Sequence, residues 1–147
     1  MANTYSFQNI AASITGAGGA FSLGYGSDNA EEGISVAMFE DKNTMMVGAD
    51  GGVMHSMHAG RAGTITVRLL KTSPVNKQLN DLYRFQTSSP ANHGNNVIRI
   101  VDTVRGDVIT GTKAAFRKIP DNAFSKNGGI MEWTFDVGVI DTILGNG

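Results

Sequence analysis

MEWTFDVGV, residues 131–139, decides the class of fold: Met131, Trp133, Phe135, Val137 and Val139 alternate with Glu132, Thr134, Asp136 and Gly138. Successive side chains of an extended strand point to opposite sides, so a period of two lays one apolar face on a core and leaves the other polar. Thr64 to Leu70 repeats the pattern, with Ile65, Val67 and Leu69 on one face and Thr64, Thr66 and Arg68 on the other. Two half-buried strands set the expectation of a mainly β domain.

Working outward, Tyr5 and Phe7 share one phase while Ile10, Ala12 and Ile14 take the other, which predicts a strand kinked by a bulge near Gln8 or Asn9. Gly16 to Gly19 supplies a turn, and Phe21, Leu23 and Tyr25 resume alternation on a return strand, so the two read as a hairpin. A second pair is predicted from Val97 to Thr103 and Val108 to Ile119, joined through Arg105, Gly106 and Asp107. The apolar residues of its second arm do not keep one phase; the arm either bends or has both faces covered by neighbours. One helix is signalled, with Ser73 as N-cap, Pro74 at the first helical position, and Val75, Leu79, Leu82 and Tyr83 along one stripe. Phe85 is expected to close it against the sheet, and Gln86 to Asn96 reads as the returning loop. Strands, one helix, then strands suit a β-sandwich or barrel with one flanking α-helix, and no shift in composition divides residues 1–147 into two domains.

Composition narrows the function classes. Twelve Lys plus Arg nearly cancel thirteen Asp plus Glu, so the whole chain exerts no long-range pull on nucleic acid or an anionic membrane. The absence of cysteine removes disulfides, thiolate metal sites and a thiol nucleophile. No segment approaches the ~20 apolar residues of a membrane-crossing helix, so no membrane anchor is expected and a cytoplasm is the default place of synthesis. Nineteen glycines against three prolines point to many turns and short strands.

Between these strands, Glu40 to Gly63 reads EDKNTMMVGADGGVMHSMHAGRAG. It is too long for an ordinary connection and too rich in glycine for a helix. Asp50-Gly51-Gly52 marks a tight turn, and Thr44 to Val47 can pair with Val53 to Met57 as a two-stranded finger. An isolated hairpin is marginal in water, so a projecting one needs another surface. Met45, Met46, Met54 and Met57 would make its contact surface adaptable. Two readings fit: the finger folds back on its own domain, or it touches another subunit, in which case Asp41, Lys42, Asn43, Met45, Met46, Asp50, Met54, His55, Met57, His58 and Arg61 are its candidate interface residues.

Catalytic and ligand signals are weak. His55 and His58, with His93, would be needed for a metal site, but in extended structure residues three apart face opposite ways, and no metal or other cofactor is expected. GAGGAFSLG, residues 16–24, lacks the spacing of a dinucleotide loop. Glu31-Glu32 and Glu40-Asp41 read as solvated acids, and Arg105-Gly106-Asp107 as a turn. Lys71, Lys77, Arg84, Arg117, Lys118 and Lys126 are dispersed, without the interleaved aromatics of a base-stacking platform. Trp133 with Tyr5 or Tyr25 could line a ligand-binding sandwich, but Trp133 shares its phase with core residues. The chain is therefore expected to be no enzyme.

SFQNIAASITG (6–16), FSLGYG (21–26), EDKNTMMVGADGGVMHSMHAG (40–60) and TVRLLKTSPVNKQLNDLY (66–83) together resemble the tail tube proteins of phages with contractile tails. The likeness continues through ANHG (91–94), RGDVITG (105–111) and GGIMEWTFDVGVIDTILG (128–145), and departs most over residues 118–127. The resemblance implies a virion structural protein, assembled in the host cytoplasm as hexameric rings that stack into a hollow tube. Strands from several subunits would join one tube barrel, which removes exposed sheet edges. Its implied partners are copies of itself, the sheath, a tape-measure protein and the baseplate, with DNA passing transiently through the lumen. By the same resemblance the finger is the ring-stacking element, the helix lies on the outer side of the wall, and Thr64, Thr66 and Arg68, with part of residues 107–113, are candidate lumen positions. A lumen dense in Lys and Arg would trap DNA, so a polar surface without strong positive potential is expected. A tube subunit of a DNA-free contractile injection device, a tailocin or secretion system, fits the same pattern.

Overall fold

The two period-two segments form strands as expected, and the structure sets them side by side. The computed structural model describes residues 10–24, 29–120 and 129–145. In chain order these are β1 (Ile10–Gly16), β2 (Gly19–Gly24), β3 (Asn29–Met38), β4 (Asn43–Val47), β5 (Val53–Met57), β6 (Gly63–Leu70), α1 (Val75–Thr87), a 3-10 turn (Pro90–Asn92), β7 (Asn96–Asp102), β8 (Val108–Lys118) and β9 (Ile130–Ile143). Seven strands make one sheet in the order β2-β1-β7-β8-β9-β6-β3, antiparallel throughout, while β4 and β5 pair only with each other. The large sheet curls into a half-barrel. One face, with the buried stripe of α1, carries the core: Ile14, Leu23, Ile65, Val67, Leu69, Leu79, Ile98, Trp133, Phe135 and Val137 are almost fully enclosed.

The predicted hairpins are present. β1 and β2 meet across residues 17–18, and a register shift falls between Ala12 and Ser13. The kink near Gln8 or Asn9, and Tyr5, Phe7 and Tyr25, lie outside the described residues. β7 and β8 pair across residues 103–107. There Asp102 Oδ1 accepts from the backbone N–H groups of Val104 and Arg105, and Gly106 takes φ 82°. The Arg-Gly-Asp tripeptide is thus part of a turn closed by Asp102.

The phase change in β8 is a bend. Buried positions run Gly111, Ala114, Phe116 in β8 and Trp133, Phe135, Val137, Ile140 in β9. Each strand steps by three at the same level of the sheet. Between Gly111 and Ala114 stands Lys113 at φ 54°, where the pairing with β7 also skips a residue. A residue in left-handed backbone within a strand is a bulge, and it turns the following side chains to the other face. Extending one apolar phase as far as Val139 therefore needs correction: Val139 and Met131 are half-buried, and Ile140 takes the core position.

The helix begins as expected. Ser73 Oγ accepts from the Val75 N–H at 3.3 Å, and Pro74 is already helical at φ −66° and ψ −18°. Its end differs. The helix runs on to Thr87, and Phe85 is 48% exposed, its ring set against Gly18. The residue that closes the helix on the sheet is Gln86, which with Asn96 bounds the segment that the sequence pattern alone assigns to a loop. Gln86 Nε2 donates to Asn96 Oδ1 at 2.6 Å, and Asn96 Nδ2 donates to Gln86 Oε1 at 2.7 Å. Gln86 Nε2 also reaches the Ala17 carbonyl at 3.0 Å. Two facing amides satisfy each other's donors and acceptors, so both can be buried without water. At its other end α1 is pinned by Asn76, whose Oδ1 accepts from Trp133 Nε1 at 3.1 Å and whose Nδ2 donates to the Leu70 carbonyl at 2.9 Å.

Three substitutions at two positions test this account by urea unfolding. Lys113→Gly is expected to leave stability unchanged or raise it by up to ~1 kcal/mol, and Lys113→Val to lower it by about 1–2 kcal/mol, because only glycine adopts the bulge conformation freely. Asn96→Ala orphans part of the Gln86 amide and is expected to lower stability by about 1–3 kcal/mol; an unchanged midpoint would show that the amide pair holds nothing.

Candidate assembly interface

The finger is where local sequence and tertiary structure part company. β4 and β5 pair in register from Asn43↔Met57 to Val47↔Val53. The turn is closed by Gly51 N–H to Gly48 O at 3.0 Å and Gly48 N–H to Gly52 O at 2.7 Å. Gly51 holds φ 85°, a left-handed conformation that favours glycine, and Asp50 Oδ1 accepts from the Gly52 N–H at 3.0 Å. Every residue of β4 is exposed, and among the described residues the hairpin joins no other sheet. Among the described residues, the finger's strands therefore make no sheet pairing with the rest of the domain.

Its root is fixed to the large sheet. Phe39 N–H donates to Ala62 O at 3.1 Å, and Ile140 N–H donates to Arg61 O at 2.8 Å. Arg61 pairs with Asp141. At Gly63, where the returning chain enters β6, a Cβ would stand 2.3 Å from the Ala37 carbonyl oxygen and 2.6 Å from Ile140 Cδ1. The chain passes this crowded point only as glycine.

Of the predicted interface residues, the structure brings Asn43, Met45, Met46, Asp50, Met54, His55 and Met57 together on the hairpin and its turn, with Asp41, Lys42, His58 and Arg61 at the root. Asn43 and His55 Nδ1 hydrogen-bond at 3.1 Å, and Thr44 Oγ1 and His58 Nε2 at 2.6 Å. Asn43 and Thr44 are successive strand residues, so the two imidazoles work on opposite faces. Among the described residues no three His, Asp or Glu side chains converge as metal ligands. Trp133 is 1% exposed and hydrogen-bonded to Asn76, which withdraws it from any stacking role. Val47 and Val53, 60% and 56% exposed, belong to the same surface; their place in the two five-residue arms was the available signal.

Thr64, Thr66 and Arg68 lie on the sheet face turned away from the core, each half-buried. Across the strands Thr66 faces Thr134 and Ser35, Thr64 faces Asp136, and Arg68 faces Glu132. Thr110 and Thr112 of β8 share this side, which also carries two ion pairs between neighbouring strands. Arg68 Nε donates to Glu132 Oε2 at 3.2 Å and its Nη1 to Ser35 Oγ at 2.6 Å, while Arg117 Nη2 donates to Asp136 Oδ1 at 2.6 Å. Pairing at this exposure adds little stability but cancels the local field of each cation.

The curled antiparallel half-barrel is consistent with the β fold of tube proteins. Solved structures with this fold include an anti-feeding prophage tube-terminating cap (12% identity, 98% of this chain and 95% of that one, TM-score 0.58). Two come from an extracellular contractile injection system of the PVC type. Its sheath/tube terminator matches at 13% identity over 91% of this chain and 92% of that one, TM-score 0.57. Its sheath-tube complex matches at 14% identity over 92% and 88%, TM-score 0.53. No curated protein sequence matches the chain. Residues 1–145 match the family described as Bacteriophage PhiTE tail tube protein, and the chain belongs to that family. Its role is accordingly structural and tube-related.

Gly63→Ala is expected to lower stability by about 1–3 kcal/mol through overpacking against backbone, whereas Arg68→Ala should change it by less than ~1 kcal/mol, as exposed ion pairs do. Thermal or urea unfolding of both variants checks the contrast.

Proposed function

We propose that this chain is a single-domain, non-enzymatic tail tube subunit that assembles as stacked, six-membered rings and forms the conduit for DNA delivery. Membership of the tail tube family over residues 1–145 carries this reading. The ring number draws on a neighbouring fold, an anti-feeding prophage baseplate described as 6-fold symmetrised. The finger, with its interface residues from Asp41 to Arg61, stacks one ring on the next. The large sheet's outer strands join those of neighbouring subunits, since among the described residues β2 and β3 each pair on one side only and leave an edge that an assembly must cover. The paired face bearing Thr64, Thr66 and Arg68 lines the lumen, where threonines and neutralised arginines let a polyanion slide without being held. The helix lies on the outside of the wall. Sheath, tape-measure and baseplate proteins are the partners, and the finished location is the virion tail, after assembly in the bacterial cytoplasm.

A second reading, a tube of a DNA-free injection device, is favoured by the injection-system folds above. Nucleic acid in purified particles separates the two.

Electron microscopy of concentrated protein is expected to show rings or hollow tubes; a chain that stays monomeric under all conditions, partner proteins included, overturns the proposal. Met46→Asp and Met54→Asp are expected to reduce tube yield at least about tenfold, while the subunit's own stability shifts by no more than ~0.5 kcal/mol, as for surface substitutions generally. Sedimentation and urea unfolding measure the two effects separately.

A further inference from the structure

The finger is apolar on both faces. Residues directly opposed in an antiparallel pair share a face. The register therefore sets Met45, Val47, Val53 and Met57 on one side, with Asn43 and His55, and Met46 and Met54 on the other, with Thr44 and Ser56. All six apolar side chains are at least 55% exposed, Met57 the most at 84%. An arm resting on one surface would cover one set and leave the other in water. The polar groups do not disturb this division: both side-chain hydrogen bonds of the histidines lie toward the root, and the Asp50 carboxylate at the tip is bonded within its own turn.

The opposite end of the sheet offers a complement. Leu70 and Ile130 are paired neighbours at the far end of β6 and β9, and Ile119 follows β8 at the same end. They are 41%, 49% and 46% exposed. An eight-residue β6 separates them from the finger's root, roughly 23 Å at the rise of an antiparallel strand. A contact from the finger end of one copy to this end of another is head-to-tail, does not close on itself, and extends along an axis.

We infer that the finger is an insert gripped on both faces between other copies of this chain, with the Leu70, Ile119 and Ile130 end as its landing site. The inference rests on the tube reading and deepens it. A two-sided grip also accounts for how a two-stranded hairpin, marginal alone, becomes rigid in an assembly. Thioethers suit such a slot because they adapt to two differently shaped walls.

Native methionines report on both faces without any substitution. The full chain is treated with dilute hydrogen peroxide as assembled tubes and as free subunit, and sulfoxide formation at each methionine is read by peptide mass spectrometry. Met45 and Met57 on one face, and Met46 and Met54 on the other, are all expected to oxidise about tenfold more slowly or less in tubes than in the free subunit, since exposure governs the reaction. If tubes form and either pair oxidises at the free-subunit rate, the two-sided grip is overturned while the tube reading stands. If no tube forms under any condition, the tube reading fails and this inference fails with it.

Discussion

The left-handed backbone at Lys113 is the constraint on which the core depends. β8 and β9 are the longest strands, and a strand that long in a curling sheet cannot keep one side chain phase directed inward along its whole length. The bulge lets Gly111, Ala114 and Phe116 all face the core. Phe116 then becomes the hub of the aromatic cluster, with ring centroids 5.5 Å from Tyr83 on α1, 5.9 Å from Trp133 and 4.8 Å from Phe135. Edge-on and tilted contacts at these distances are favourable. Displace Phe116 and Tyr83 of the helix loses its aromatic partner on the sheet.

The division of labour between the two sheet faces follows. One face is taken up by the core that the sheet shares with the chain's own helix. The other carries threonines, Ser35 and the Arg68–Glu132 and Arg117–Asp136 pairs, with Val97 and Val101 among them. The unused apolar area is displaced to the ends of the sheet and, above all, to the finger. In a monomer this would be a liability, since an exposed apolar hairpin and strands that, among the described residues, pair on one side only invite uncontrolled association. On the tube reading proposed above the same features are the means of association, and the contacts at Phe39, Arg61 and Gly63 fix the finger's root.

Membership of a structural family also explains the negative character of the sequence. The three histidines do not meet, Trp133 is enclosed, and Glu132 and Asp136 face Arg68 and Arg117 across neighbouring strands rather than converging in a cleft. Function here resides in shape, edge and surface polarity, properties that leave no short motif.

By itself the sequence determined the mainly β class, the hairpins, the start of the helix and the finger's two arms, because each depends on neighbours within a few residues: alternation, turn glycines, Ser73 before Pro74. It also determined which face of β6 is polar, since Thr64, Thr66 and Arg68 stand in the phase opposite to Ile65, Val67 and Leu69. Only the tertiary structure decided the strand order, the inward turn at Lys113, the substitution of Gln86 for Phe85 as the buried helix end, and the pairing of the finger's arms with each other alone among the described residues. Those outcomes depend on residues far apart in the chain. Lysine carries no local signal for left-handed backbone, and a buried glutamine is intelligible only once Asn96 is opposite it. An apolar hairpin reads the same in sequence whether its cover comes from its own chain or from another.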